Sequence, residues 1–263
     1  MKTLLDTIVE HKHMEVLKRK GRKSLADLEK KAFYRRSPID PLALASKTRP
    51  NIIAEFKRRS PSRGQISGLI NPVPVVKAYR DGGALASSIL TDRDFFGGSF
   101  KDLENVRTHV DNFPLLRKDF MIDPYQLHEA KAYGADIVLL IAGILDPGKI
   151  REMVQTANSL GLHILMEVHS EEELEKWIPG ISMLGVNNRD LRNFNVDIEQ
   201  SVKLLPKMPA EVFKISESGL HQVADVKRLY TEGFDGFLMG ERFMKEDDPG
   251  QALSAFSEAL NQE

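Results

Sequence analysis

Residues 51–64 read NIIAEFKRRSPSRG, and the first seven decide the fold. Asn51, Ile52, Ile53 and Ala54 have the composition of a buried strand, yet Glu55 and Lys57 follow on either side of Phe56. Side chains two apart on a strand face the same way, so Ile53, Glu55 and Lys57 share a face. A face that turns from apolar to charged along its length leaves a hydrophobic interior and arrives at something polar. A basic, proline-broken turn comes next.

Outward from this stretch the pattern repeats. Short apolar or β-branched runs lie at 51–57, 84–91, 114–119, 136–143, 163–169, 183–188, 212–218 and 236–241. Stretches of helical spacing fall between and after them, at 73–81, 99–110, 124–133, 146–160, 170–178, 197–205, 221–231 and 249–261. Asp123-Pro124, Asp146-Pro147 and Asp248-Pro249 each offer an N-cap with proline in the first turn. Ser170 and Glu173 have capping-box spacing. Gly134 and Gly161 stand where helices are expected to end. Eight strands alternating with eight helices predict an α/β fold, a (β/α)8 TIM barrel. A doubly wound sheet also hosts βα repeats, but no GxGxxG follows the first run and no linker divides the 263 residues. One barrel domain is expected over 1–263.

Composition narrows the function. A net charge of −1 gives no overall pull toward nucleic acid or membrane. The absence of cysteine excludes disulfides, thiolate nucleophiles and Cys-ligated metals, and permits a reducing compartment; a cytoplasmic location is expected. The opening MKTLLDTIVEHKHM carries Asp6 and Glu10 within its apolar pattern, unlike a signal peptide. Apolar runs such as IVLLIAGIL are too short to span a bilayer. Leu4, Leu5, Ile8, Val9, Val16 and Leu17 predict a helix over 3–20. The basic stretch 18–36 reads either as a solvated helical surface or as a lid that draws in an anion.

The polar residues within the runs point to one site. Leu116 pairs with Lys118, Leu165 with Glu167, Gly185 with Asn187, and Ile215 with Glu217, each apolar or small first and polar toward the C-terminal end. Arg189 lies just beyond. In a barrel such side chains converge at the C-terminal rim, where barrel enzymes do their chemistry. Two lysines and three glutamates in one rim are expected to shift one another, keeping one carboxylate basic and one ammonium acidic. No Ser-His-Asp set is apparent. His163 and His169 flank Glu167 but stand roughly 20 Å apart on an extended chain, too far to share an ion, and no metal is expected. Ser218-Gly219 and Gly240 follow the seventh and eighth runs, where barrel enzymes often bind phosphate.

Together these residues resemble the indole-3-glycerol phosphate synthase family. The resemblance rests on IIAEFKRRSPSRG, ILTDRDFFGGS, LLRKDFMIDPYQ, GADIVLLIA, LMEVHSEEEL, GVNNRDL, SESGL and LMGERFM, spanning nearly the whole chain. It implies a barrel with an N-terminal helical extension over the mouth, here residues 1–46. It also implies a carboxy-lyase of tryptophan biosynthesis that needs no metal or organic cofactor. The family's substrate, 1-(2-carboxyphenylamino)-1-deoxyribulose 5-phosphate, is closed to a pyrrole with loss of carbon dioxide and water. By resemblance, Lys118 is the general acid of ring closure and Glu167 a general base. Lys57 is a cation for the substrate anions or an acid in dehydration. Glu55, Asn187 and Glu217 orient lysines and sugar hydroxyls. Arg189 meets the anthranilate carboxylate, and Ser60, Ser218, Gly219, Gly240 and Glu241 match phosphate-site positions. Pro61, Phe96, Phe120 and Leu220 line the aromatic pocket. Glu241 stands where some members have serine, which removes a hydroxyl contact. The partner implied is a small sugar phosphate, with no nucleic acid and no membrane, and a monomer is expected. Two rivals remain: an aldolase-like barrel using Lys57 or Lys118 as a Schiff base, and a sugar-phosphate binding protein without catalysis.

Overall fold

The computed structural model describes residues 3–61, 64–68, 71–190 and 194–262. Eight parallel strands close into a barrel: β1 (Asn51–Phe56), β2 (Ala86–Leu90), β3 (Leu115–Lys118), β4 (Ile137–Ile141), β5 (His163–Val168), β6 (Met183–Asn187), β7 (Phe213–Glu217) and β8 (Gly236–Met239). Each pairs with its sequence neighbours, and β1 closes on β8 with Asn51 opposite Gly236. Alternation along the strands divides the core in two. Ile53, Ala86, Leu116, Leu139, Leu165, Met183, Ile215 and Leu238 fill the inside of the barrel. Ile52, Ala54, Phe56, Ile89, Leu115, Ile164 and Phe237 face outward into a larger apolar layer shared with the helices. Fully burying a side chain of this kind is worth about 1.5–3 kcal/mol, so both faces of each strand are committed and the register cannot slip.

The helical layer follows the expected periodicity closely at Pro72–Asp81, Phe100–His109, Tyr125–Ala132, Pro147–Ser159, Val223–Glu232 and Pro249–Asn261. Asp146 and Asp248 cap their helices through the amides of Lys149 and Gln251. Asp123 instead accepts from the Tyr125 amide, with Pro124 before the first helical residue. Gly134 and Gly161 adopt φ of +90° and +70°, the left-handed geometry that ends a helix.

The structure differs from the sequence reading in three places. The helix expected over 170–178 spans only Glu171–Leu174. Pro179 disfavours helix before it, and the Trp177 indole reaches forward to donate to the Ile181 carbonyl. Ser170 does cap that helix, but the Glu173 carboxylate does not complete the box; it accepts from the His169 amide instead, at 2.7 Å. A short unexpected helix, Glu241–Met244, follows β8 directly.

The N-terminal segment forms α1 (Leu4–Arg22), opened by a capping box between Thr3 and Asp6. Its apolar start, Leu4, Leu5 and Ile8, packs on the barrel interior cluster at the mouth. The basic stretch does not line the mouth. Lys20 pairs with Asp123, Lys31 with Glu104 and Arg36 with Asp136, each at 2.6 Å, so these cations stitch the extension to the flank of the barrel. The anion-drawing lid is therefore not where the charge density of the sequence suggested; what meets the mouth is the apolar turn ahead of it.

Candidate active site

The C-terminal ends of the strands open into one cavity, and every site residue anticipated from the sequence lines it. Glu55 and Lys57 come from β1 and its end, Lys118 from β3, Glu167 from β5, Asn187 from β6 and Glu217 from β7. Ser60 and Pro61 enter from the loop after β1, Phe96 from the loop after β2 and Phe120 from the loop after β3. Arg189, the Ser218-Gly219-Leu220 turn, and Gly240 with Glu241 complete the wall.

At the centre is a shared proton system. Lys118 Nζ lies 2.6 Å from Glu217 Oε2 and 3.2 Å from Glu167 Oε2. Asn187 Nδ2 donates to Glu167 Oε1 at 2.9 Å, and its Oδ1 accepts from the Arg189 amide at 3.0 Å. Lys57 Nζ pairs with Glu55 Oε1 at 2.5 Å. Two glycines make room for this crowding. A side chain at Gly185 would run into the Glu217 carboxyl, and one at Gly240 into Glu55.

The electrostatics of the lysine reverse the sequence expectation. Burial works against the Lys118 ammonium, but Glu217, Glu167 and Glu55 outweigh it and hold its proton more firmly than usual. No acidic ammonium arises at Lys118, because three carboxylates face it. The proton-labile group is a carboxyl. Burial, with the charges of Glu167 and Glu55, pushes Glu217 up to about 7 against the pull of Lys118, and its Oε1 has no hydrogen-bond partner among the described residues. Burial also opposes ionisation at Glu167 and Glu55. There the lysines win, with help at Glu167 from His169 and Asn187, and both stay below the usual glutamate range. A Schiff base needs a neutral amine, so a tightly held proton on Lys118 speaks against the aldolase-like rival at that lysine.

The phosphate-site positions are built from unusual backbone. Ser218 at φ +69° and Gly219 at φ +78° are both left-handed. A non-glycine residue there stores strain that marks functional turns. Asn188 holds this turn by donating to the Ser218 carbonyl at 3.0 Å, while its own oxygen accepts from Ser201 Oγ at 2.7 Å. Gly219 leads toward the free amides of the Val223–Glu232 helix. Glu241, at the position where some family members have serine, pairs with Lys245 at 2.6 Å and approaches Arg189 at 3.5 Å.

Some contributors escaped the sequence reading. Leu4, Leu5 and Ile8 of α1 roof the cavity, and Leu139, Ile141 and Leu238 form its floor. Beneath the roof Lys12 is fully buried, with Asp92 at 2.8 Å, Asp119 at 2.9 Å and Glu15 at 2.6 Å. Asp92 accepts from the Phe95 and Phe96 amides, and Asp119 from the Phe120 amide. Lys12 thus ties α1 to both aromatic walls. The 3–20 apolar pattern and the helical extension implied by the resemblance both pointed to α1; nothing in them singled out Lys12.

Comparison with known proteins fits this geometry. The family model described as indole-3-glycerol phosphate synthase matches residues 5–256. The chain belongs to the indole-3-glycerol phosphate synthase family. It is 44% identical over 260 residues to a Bacteroides thetaiotaomicron protein of that name, covering 99% of this chain and all of that one. It is 43% identical to the Salinibacter ruber protein of that name, covering 96% of this chain and 94% of that one. Among solved structures, 3-hexulose-6-phosphate synthase from Salmonella typhimurium superposes with a TM-score of 0.62 at 13% identity, over 80% of this chain and all of that one. That likeness shows the barrel alone. No described helix is long and apolar enough to cross a membrane.

Proposed function

We propose that this barrel mouth carries out the reaction of its family, converting 1-(2-carboxyphenylamino)-1-deoxyribulose 5-phosphate to indole-3-glycerol phosphate. The observation that carries the assignment of roles is Lys118 lying between Glu217 and Glu167, at 2.6 and 3.2 Å, on the floor of a roofed cavity. The arene carbon bearing the carboxylate attacks the ketone carbon. Lys118 gives its proton to the oxygen that becomes an alkoxide, and Glu217, near neutrality in its own titration, is placed to return one to the amine. An ammonium held this firmly gives up its proton only to a strongly basic oxygen, and an alkoxide is one. Carbon dioxide then leaves the ring carbon. The hydroxyl departs as water with a proton from Lys57, and Glu167 takes the proton released as the pyrrole double bond forms.

The two ends of the substrate match the two ends of the site. Ser60, Ser218 with Gly219, and Gly240 serve the phosphate with amides and hydroxyls. Phe96 and Phe120, with ring centroids 5.9 Å apart, and Pro61 and Leu220 serve the arene. Arg189 serves its carboxylate, in place of Glu241. Glu55 orients Lys57, and Asn187 orients Glu167. The test is direct: purified protein mixed with the substrate, with indole fluorescence followed in time. Fluorescence that fails to rise, with inorganic phosphate still bound, would leave the binding-protein rival standing.

A further inference from the structure

His169 follows Glu167 by two residues, just past the end of β5, and its ring packs against the Glu167 carboxylate. Its Nε2 lies 3.6 Å from Glu167 Oε1. On the other side of the ring, Nδ1 lies 3.3 Å from Glu173 Oε2, the same oxygen that accepts from the His169 amide. Gln200 Nε2 donates to the His169 carbonyl at 2.8 Å, so backbone and ring are both fixed. Nε2 is out of reach of solvent and has no hydrogen-bond partner among the described residues.

A neutral imidazole has one N–H and one lone pair. With the hydrogen on Nδ1, the lone pair of Nε2 faces the Glu167 carboxylate. With the hydrogen on Nε2, the lone pair of Nδ1 faces Glu173. Either tautomer sets a lone pair against an anion in a buried place. Only the imidazolium offers a hydrogen to each. The charged groups that face the ring are Glu167 from its own strand, Glu173 from the short helix after it, and Glu217 from β7, all acidic. Burial opposes the cation, but these carboxylates outweigh it and raise the histidine above its ordinary value.

We infer that His169 is a positioning residue which, as the imidazolium, keeps Glu167 ionised and aligned with Asn187 as a proton acceptor. This rests on the reading of Glu167 as a general base and deepens it. The coupling is reciprocal by linkage: whatever His169 does to the titration of Glu167, Glu167 does to that of His169.

Two measurements test it. The first is the pH profile of kcat/KM. In His169→Asn the acid limb is expected to move to higher pH by about one unit or more, the size expected when an opposite charge at this range is removed. His169→Lys, which restores a cation, is expected to move it back. The second is an NMR titration of the His169 ring in the otherwise native chain and in Glu167→Gln, where the histidine should titrate at lower pH. This arm needs neither catalysis nor a change at His169. An unmoved acid limb in His169→Asn, while Glu167→Gln has lost turnover, would reduce His169 to a packing role. An unchanged His169 titration in Glu167→Gln overturns the coupling outright. Undiminished turnover in Glu167→Gln would instead remove the base assignment, with the titration still deciding whether the pair interacts.

Discussion

Lys118 is asked to donate a proton from a place that holds it firmly, and the cost of losing it should be correspondingly specific. Lys118→Met is expected to slow single-turnover ring closure by several orders of magnitude, since an unmatched alkoxide in such a cavity forfeits several kcal/mol. Inorganic phosphate should bind as before, because the Ser218-Gly219 turn is held by Asn188 and offers amides and a hydroxyl rather than the Lys118 charge. Loss of phosphate binding in that variant would make Lys118 an anion ligand or a fold determinant. Glu217 offers a second test at this scale. Its folded carboxyl titrates near 7, above its unfolded value of about 4.3. The contribution of this group is therefore complete below the unfolded value and is lost as pH rises through about 7. Relative to the native chain, Glu217→Gln should gain stability between pH 5 and pH 8, by roughly 3 kcal/mol at most. Denaturant midpoints across that range check it, and a difference flat with pH would show that Glu217 is not displaced.

Among the elements, α1 is the one whose role exceeds its sequence signal. Lys12→Met would leave Asp92 buried without its cation and Asp119 with Arg117 alone, and breaking a buried pair in this way typically costs about 3–5 kcal/mol. It should also raise KM more than it lowers kcat, because the Phe96 and Phe120 walls hang on those two aspartates. Thermal unfolding and steady-state kinetics on the same preparation separate the two effects. The strands show the opposite relation to sequence. Period-two alternation exposed Glu55, Lys118, Glu167, Asn187 and Glu217 as members of one rim because each is a local fact, an apolar residue and a polar one two apart. Lys12 was not legible, since its partners lie 80 and 107 positions away. A lysine between apolar helix residues looks like any solvated one. Nor was the left-handed backbone at Ser218, which a serine does not announce, or the early end of the helix after β5, where Pro179 overruled a good helical pattern.

At the scale of the whole molecule, charge acts locally. The chain is nearly neutral, and four of the lysines and arginines of 18–36, Arg19, Lys20, Lys31 and Arg36, are held by barrel carboxylates. KM should therefore rise with salt through Lys57 and Arg189 at the mouth. Replacing Lys20 and Lys31 together by alanine should leave that salt dependence unchanged, and a flattened one would reinstate the basic segment as an attractor. Closure of the barrel carries a different consequence, for the order in which the chain assembles. β1 must find β8 across 185 positions, Asn51 to Gly236, so loop-closure entropy is met long before the last ladder repays it. The seat of α1 exists only after the loops following β2 and β3 have brought Asp92 and Asp119 together, so its docking comes late. A late contact is absent from the folding transition state and reports itself in the reverse rate. Stopped-flow chevrons of Lys12→Met should accordingly show faster unfolding with refolding little changed, whereas slowed refolding would mean that α1 helps to nucleate the barrel it covers.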